Sequence, residues 1–110
     1  PINFERNVRK LTATQIEGLR ALLQEIPLDE IKSITIHSYT DNSGTPDINM
    51  VYANERAISA HHIIAEYVAA DKIIHRIWGD ADPVAANDTE ENRYLNRRIE
   101  LVIELWVTAE

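Results

Sequence analysis

At 110 residues, the chain is long enough for one domain with a single hydrophobic core, and its 45% hydrophobic and 26% charged residues are ordinary for a globular protein. The absence of cysteine excludes disulfides, thiolate catalysis and cysteine-ligated zinc. A net charge of −7 argues against binding to nucleic acid or to an anionic lipid surface, because both require a clustered basic excess.

No segment has the pattern of a membrane span or a targeting signal. The chain contains no apolar run of about 20 residues, and no signal peptide opens it. Pro1 is not an initiator methionine, so we expect the chain to be a piece of a longer protein whose targeting and membrane-anchoring segments lie elsewhere. We expect residues 1–110 to form one domain, since no flexible linker interrupts them.

The first part of the chain predicts a strand, a helix and a second strand. Residues 2–5 fit a short edge strand, and Thr14 with Glu17 fits a capping box that begins a helix. Pro27 ends this helix, because the residue before a proline resists the α conformation. Residues 33–39 alternate between apolar and polar side chains, which is typical of a strand with one buried face.

A turn and a long second helix follow. The turn from Asp41 to Asp47 contains a glycine and a proline, which exclude regular structure. Asp47 is a suitable N-cap for a helix over residues 48–70. The small residues at the centre of its expected inner face would let it lie close to a sheet. That face comprises Met50, Ala53, Ala57, Ala60, Ile64 and Val68.

The last third of the chain predicts two strands around a loop. Residues 73–78 indicate a third strand, residues 79–89 a loop, and residues 88–91 a capping box that opens a short helix. Residues 98–107 show the clearest strand-like alternation of side chains in the sequence, which predicts the last strand. The order β-α-β-α-β-(α)-β predicts an α/β two-layer sandwich with two helices packed on one face of a mixed sheet.

A carboxylate and a guanidinium are predicted to face the same small volume beside the second strand. Asp41 lies in the turn after that strand, and Arg56 lies roughly 10 Å beyond a helix start near Asn49, since a helix rises about 1.5 Å per residue. Helical side chains lean toward the N-terminus, so the guanidinium can return toward Asp41. Such a pair could receive a zwitterion, whereas the alternatives are a structural ion pair or a turn-capping aspartate.

Several motifs resemble the OmpA-like domain, in the same order along nearly the whole chain. They are Thr40-Asp41-x-x-Gly44, Asn49, Glu55-Arg56-Ala57-Ile58-Ser59-Ala60 and Asn96-Arg97-Arg98-Ile99-Glu100, with supporting matches at Ile2-Asn3-Phe4, Leu11, Gly79-Asp80-Ala81-Asp82-Pro83 and Asn87. This domain is the peptidoglycan-binding module of outer-membrane OmpA proteins, the peptidoglycan-associated lipoprotein and the flagellar stator protein MotB. The resemblance implies the same sandwich fold and a non-catalytic anchor in the periplasm of a Gram-negative-type cell.

The resemblance also implies roles for five residues. Asp41 would take the side-chain ammonium of diaminopimelate in the peptidoglycan stem peptide, and Arg56 would bind a carboxylate with both arms of its guanidinium. Thr40 and Asn49 match positions that line the same pocket, although both residue types also hydrogen-bond turn backbones locally. Arg97 is expected to border the ligand groove and its neighbour to lie on the polar side of the strand, the alternative being a solvated strand start.

Histidine residues form no recognisable metal motif in the sequence. His61 and His62 are adjacent on the second helix and therefore point about 100° apart. His37 and His75 fall in separate strands. A zinc site is therefore not expected.

Other cofactor and catalytic patterns are weak. The turn from Asp41 to Asp47 has oxygens at alternate positions, but its glycine is fourth, whereas a calcium-binding EF-hand loop has glycine sixth. No serine has the context of a nucleophile, and no pair of carboxylates stands out. We therefore expect neither a cofactor nor an enzyme.

The chain departs from the family pattern at three places, one of which is Gly79-Asp80 in place of a Gly-Glu pair. Ser38-Tyr39 replaces the usual Gly-His before the Thr-Asp turn, and Tyr39 is expected to line or partly fill the pocket; Tyr52-Ala53 replaces a Leu-Ser pair. These departures motivate an alternative, a protein-interaction or homodimerisation module with the same fold, paired through the last strand if it lies at an edge. A peptidoglycan hydrolase is the least favoured hypothesis. An envelope anchor, a motor stator and a secretion-machine component are all compatible parents.

Overall fold

The computed structural model describes residues 1–106, which form a four-stranded sheet with two helices packed against one face. The strands are β1 (Ile2–Asn3), β2 (Ile31–Tyr39), β3 (Ile73–Gly79) and β4 (Arg98–Leu105). The helices are α1 (Ala13–Glu25), α2 (Pro46–Ile64) and α3 (Glu90–Asn96), and 3-10 turns cover Leu28–Glu30 and Ala70–Lys72. The predicted α/β two-layer sandwich is confirmed.

The sheet is mixed, with the spatial order β1-β4-β2-β3. β2 and β3 are parallel, and α2 supplies the long crossover that a parallel pair requires. β4 pairs antiparallel with β2, so that Tyr39 at the end of β2 lies opposite Arg98 at the start of β4. The end of β2, the end of β3 and the start of β4 therefore meet at one edge of the sheet.

The core lies between the sheet and the paired helices α1 and α2. Its fully buried members include Phe4, Leu23, Ile34, Ile36, Ala57, Ala60, Ile64 and Ile99. The alanines of α2 let the helix lie close to the sheet, as their spacing predicts. Met50 does not belong to this face: it is 44% exposed, and its sulfur lies at the rim of the sheet beside Gly79.

Thr12, two residues before the predicted Thr14, caps α1. The Thr12 hydroxyl accepts a hydrogen bond from Gln15 N at 3.2 Å, and the Gln15 side chain accepts one from Thr12 N at 3.0 Å. A capping box needs a serine or threonine followed three places later by Glu or Gln, and Thr12 with Gln15 meets this pattern as well as the predicted pair does.

The starts of α2 and α3 also differ from the prediction. Thr45, not Asp47, caps α2, and its hydroxyl accepts from Ile48 N at 3.2 Å. Pro46 is then the first helical residue, where its missing N–H leaves no donor unsatisfied. Thr89 caps α3 by accepting from Asn92 N at 3.1 Å. α2 ends at Ile64, earlier than predicted, because residues 65–68 form a hydrogen-bonded turn.

β4 has a partly free outer edge. β1 has two residues and pairs only with Ile99 and Arg98, so from Glu100 onward the outer side of β4 has no partner strand within residues 1–106. Val102 and Leu105 are exposed on this part of the strand. Val107, the predicted last residue of the strand, lies outside the described residues. No helix in the described part of the chain is long and apolar enough to cross a membrane.

Candidate functional site

A polar pocket of about 100 Å³ lies where β2 ends and α2 begins. All five residues singled out in the sequence line this pocket: Thr40, Asp41, Asn49, Arg56 and Arg97. The remaining lining residues come from the N-terminal loop, the turn and α2: Arg6, Asn7, Ser43, Gly44, Ile48 and Tyr52. Three segments that are distant in sequence therefore converge at one edge of the sheet.

The turn that carries Asp41 is held at both ends. Thr40 N donates to Gly79 O at 2.6 Å, which ties the turn to the end of β3. Asn49 Nδ2 donates to Gly44 O at 3.3 Å, which ties the turn to the first turn of α2. A Cβ added at Gly44 would lie 2.6 Å from Asn49 Oδ1, so a larger residue there would require the Asn49 amide to shift. Asn49 thus has a local structural role, the alternative considered from the sequence.

Asp41 is an almost fully buried carboxylate, only 4% exposed. Its Oδ1 accepts from Ser43 N at 3.0 Å and from the Ser43 hydroxyl at 2.5 Å, and its Oδ2 accepts from Arg97 Nη1 at 2.7 Å. Burial alone would raise the pKa of Asp41, but the Ser43 hydrogen bonds and the Arg97 guanidinium lower the pKa below its ordinary value. Asp41 is therefore ionised, and its ion-pair partner is Arg97.

Arg97 uses its whole guanidinium inside the protein. Nη1 donates to Asp41, Nη2 donates to Glu90 Oε1 at 2.5 Å, and Nε donates to Phe4 O at 2.8 Å. Burial would lower the pKa of Arg97, yet the hydrogen bonds to Glu90 and Asp41 raise it above its ordinary value. Arg97 borders the pocket as predicted, but its contacts make it a support for Asp41.

Arg56 differs, because part of its guanidinium is unsatisfied. The residue is 1% exposed, its Nε donates to Val8 O at 2.8 Å, and its guanidinium lies over the Phe4 and Tyr52 rings at 4.9 and 5.8 Å. Nη1 is buried without a hydrogen-bond partner, and no carboxylate within residues 1–106 forms an ion pair with it. Burial, and then repulsion from Arg97, lower the pKa of Arg56 to about 10, so it is still protonated at neutral pH.

A second unsatisfied polar atom faces the same region. Thr40 Oγ1 is buried and has no hydrogen-bond partner among the described residues. Buried polar groups in native proteins are nearly always paired, so an unpaired one is a place where a water, an ion or a ligand can bind. A cationic donor and a hydroxyl beside an ionised Asp41 could therefore hold a carboxylate next to an ammonium.

Two of the departures from the family pattern contact each other in the structure. The Ser38 hydroxyl donates to Ala53 O at 2.7 Å, which fixes α2 against β2 one turn before Arg56. Tyr39 does not line the pocket as expected. It lies on the opposite face of the sheet, where the Arg98 guanidinium covers its ring at 3.8 Å. Arg98 lies on the predicted side of its strand, but this stacking buries it.

Sequence reasoning missed several pocket residues, and Tyr52 and Arg6 show two different reasons. Tyr52 precedes Arg56 by four residues on α2, so the shared helical face could have revealed it. Arg6 comes from a loop with no periodic pattern, and only the tertiary fold brings it to the pocket.

One histidine pair was also missed. His61 Nδ1 and His75 Nε2 lie 2.9 Å apart between α2 and β3, although the sequence separates them by an intervening turn. Burial, and then the neighbouring His61, lower the pKa of His75. Within residues 1–106, no group of three or more histidine, cysteine or acidic side chains is placed to hold a metal ion.

Comparison with known proteins relates this chain to one family. The model of the OmpA family matches residues 3–97. The chain is 35% identical over 104 residues to the peptidoglycan-binding protein ArfA of Mycobacterium tuberculosis, a match that covers 94% of this chain and 32% of ArfA. The chain therefore spans about a third of the length of this curated relative.

Two solved structures share the fold. The C-terminal domain of Helicobacter pylori MotB matches with a TM-score of 0.81 at 21% identity, covering 97% of this chain and 86% of that chain. The peptidoglycan-associated lipoprotein from Burkholderia pseudomallei matches with a TM-score of 0.79 at 22% identity, covering 94% and 88%.

Proposed function

Because the chain belongs to the OmpA family, we propose that it is a non-catalytic domain that binds diaminopimelate in the stem peptide of peptidoglycan. The observation that carries this proposal is Arg56, a buried and charged guanidinium whose Nη1 has no partner in the described chain. An uncompensated buried charge is costly, and an incoming carboxylate would remove that cost. The relative ArfA is named a peptidoglycan-binding protein, which supports the same ligand class.

The proposed binding mode assigns each ligand charge to one residue. A diaminopimelate carboxylate accepts from Arg56 Nη1, and the Thr40 hydroxyl adds a second contact. The ammonium beside that carboxylate takes the lone-pair position of Asp41 that Ser43 and Arg97 leave unused. Asn49 acts indirectly by holding the turn.

The expected affinity is weak. A charge-assisted hydrogen bond contributes about 1.5–3 kcal/mol, so two or three contacts give a Kd on the order of micromolar to millimolar. Weak binding suits a tether on a polymer, because repeated stem peptides supply multivalency. We place the domain in the cell envelope on the periplasmic side, where it would anchor a longer protein whose other segments provide any membrane attachment.

Titration of a diaminopimelate-containing stem peptide into the ¹⁵N-labelled domain tests the proposal. We expect saturable shifts at Thr40, Asp41 and Arg56, and their loss in Arg56→Gln, because glutamine keeps a polar side chain but removes the charge. Sacculus pull-down gives a second readout with Asp41→Ala. The matched control is Arg20→Gln, which removes a surface arginine of α1 that pairs with Glu66.

Fold integrity is checked by circular dichroism and the melting temperature of each variant. Undiminished binding of sacculi by both pocket variants would remove the proposed mechanism. Loss of binding in the Arg20 control as well would indicate that net charge, rather than the pocket, drives attachment.

A second candidate function is homodimerisation or docking to another protein through β4. The free outer edge of β4 from Glu100 onward, with exposed Val102 and Leu105, favours it. Sedimentation velocity over a concentration series distinguishes the two functions. A mass that rises with concentration, without any response to stem peptide, would support this alternative.

A further inference from the structure

A second polar cavity of about 240 Å³ adjoins the pocket of Arg56. It shares Arg6, Asp41 and Ser43 with that pocket and is completed by Glu90 and Arg93 from α3. The shared residues show that the two cavities are adjacent at the Asp41 turn. Nothing in the proposed binding mode yet uses this second cavity.

The groups in this cavity that still lack hydrogen-bond partners belong to positively charged side chains. Arg93 Nε is buried without a partner, while its Nη2 donates to Asn87 O at 3.3 Å. Arg6 is exposed and forms no ion pair or side-chain hydrogen bond with any described residue. The two carboxylates are already engaged, because Asp41 and Glu90 both accept from Arg97.

The charge balance of the two cavities differs from that of the whole chain. Their linings contain four arginines (Arg6, Arg56, Arg93 and Arg97) and two carboxylates (Asp41 and Glu90), a net charge of +2. The whole chain carries −7. A local positive excess in an acidic protein favours an anionic ligand group at this place.

We propose that Arg6 and Arg93 form a subsite for a second carboxylate of the stem peptide, so that the site selects a ligand with two free carboxylates. This inference rests on the function proposed above. The protein presents a cation at Arg56, an anion at Asp41 and cations again at Arg6 and Arg93. A diaminopimelate residue at the end of a stem peptide carries a carboxylate, an ammonium and a second carboxylate, which is the complementary pattern.

Arginine suits a carboxylate subsite better than a side chain that offers only a positive charge. Its planar guanidinium donates in a fixed fork that matches a carboxylate, and Arg93 lines the cavity with part of its guanidinium unpaired. An ammonium in this cavity would instead face two cations, with both carboxylates already neutralised in part by Arg97. The second cavity therefore fits a carboxylate and not the ligand amine.

Calorimetric titration with three synthetic tripeptides tests the subsite. The tripeptide is L-alanyl-γ-D-glutamyl-diaminopimelate, prepared with both diaminopimelate carboxylates free or with either one converted to the amide. For the wild-type domain, we expect one mono-amide to bind about tenfold more weakly than the free peptide, as expected for a lost charge-assisted contact. The other mono-amide, which lacks the carboxylate for Arg56, should show no measurable binding.

The variants Arg6→Gln and Arg93→Gln should bind the free peptide about as weakly as wild type binds the first mono-amide, and should no longer distinguish the two. Arg6→Gln is the safer variant, because its side chain makes no internal contact that the fold needs. Arg76→Gln is the matched control: Arg76 is exposed on β3, and its recorded side-chain hydrogen bond is to the adjacent His75 O at 3.4 Å. The Arg76→Gln variant should keep the tenfold preference for the free peptide over the first mono-amide.

Three results would contradict the proposed subsite. The first is equal wild-type affinity for the free peptide and both mono-amides, and the second is an unchanged tenfold preference in both arginine variants. The third is competition by inorganic phosphate at the concentration of the peptide, which would indicate a general anion site. Failure of the proposed function is distinguishable, because the wild-type domain would then bind none of the three peptides and the subsite would fall with it.

Discussion

Asp41 shows how the surroundings of one buried carboxylate determine the chemistry of the whole pocket. Ser43 and Arg97 hold both of its oxygens and lower its pKa, so it is a fixed negative charge and not a base that titrates near neutral pH. Arg56 beside it has no comparable partner. The site therefore contains one charge with an ion-pair partner and one without, and in the proposed binding mode the second is the one that the ligand satisfies.

Replacing Arg97 tests the support of Asp41. Arg97→Met keeps the volume of the side chain but leaves the buried Asp41 without its cation. Because removal of one partner from a buried ion pair leaves an unpaired charge, we expect a loss of about 3–5 kcal/mol of unfolding free energy. Urea denaturation at neutral pH measures it.

The control for this change is Arg9→Met. Arg9 pairs with Glu55 at 3.1 Å, but both side chains are largely exposed to solvent. An exposed pair contributes only about 0–1 kcal/mol. Similar losses in the two variants would contradict a special structural role of Arg97.

At the scale of elements, the site depends on how β2 is joined to α2. Thr40 ties the intervening turn to β3, and Asn49 ties it to the helix through Gly44 O. Ser38 then fixes the distance between β2 and α2 by donating to Ala53 O. These contacts involve neighbours in the turn or one crossover connection, so the arrangement is largely local in sequence.

Gly44→Ala tests this element. The new Cβ would lie 2.6 Å from Asn49 Oδ1, so the Asn49 amide must shift, which weakens its hydrogen bond to Gly44 O. We expect a loss of about 1–3 kcal/mol in unfolding free energy, as for other overpacked sites, together with weaker binding of the stem peptide. Thermal denaturation and the peptide titration measure the two effects.

Gly18→Ala is the matched control. Gly18 lies inside α1, where an added Cβ meets no atom within 4 Å. Alanine is favoured over glycine in a helix by roughly 0.5–1 kcal/mol, so this variant should be stabilised. Destabilisation of both variants to the same extent would contradict a specific clash at Gly44.

At the scale of the molecule, the sequence predicts the sandwich because its signals are periodic and local. Alternation predicts β2 and β4, and helical spacing predicts α1 and α2. The helix starts were less predictable, since several threonines and aspartates near each start can cap equally well, as Thr12 and Thr14 show. The five predicted pocket residues could be identified only because the sequence motifs follow the same order as in the OmpA family.

The unpredicted contacts are those that only tertiary packing brings together. Asp41 could pair with either Arg56 or Arg97, and the selection of Arg97 depends on how the start of β4 meets the end of β2. The pairing of His61 with His75 depends on the rotation of α2 over β3. Neither the strand register nor the rotation of a helix about its axis is encoded in a short motif.

The His61–His75 contact predicts a pH dependence of the stability of the whole domain. Burial and the adjacent His61 lower the pKa of His75 in the folded state, so below its ordinary value of 6.5 the unfolded chain binds this proton more readily. The contribution to stability is therefore complete above about pH 6.5, is lost as the pH falls from there, and levels off below the folded-state pKa. The Asp41 contribution disappears only at a lower pH, because its lowered pKa starts from 3.8.

Urea denaturation of wild type, His75→Gln and His62→Gln between pH 7.5 and pH 5 measures this effect. Wild type should lose unfolding free energy across this range, with a slope from His75 of no more than about 1.4 kcal/mol per pH unit for one proton. His75→Gln should flatten the slope. His62→Gln, an exposed neighbour on α2, should retain it. If the slope in His75→Gln equals that of wild type, protonation elsewhere controls the stability of this domain in mild acid, and the His61–His75 contact has no part in it.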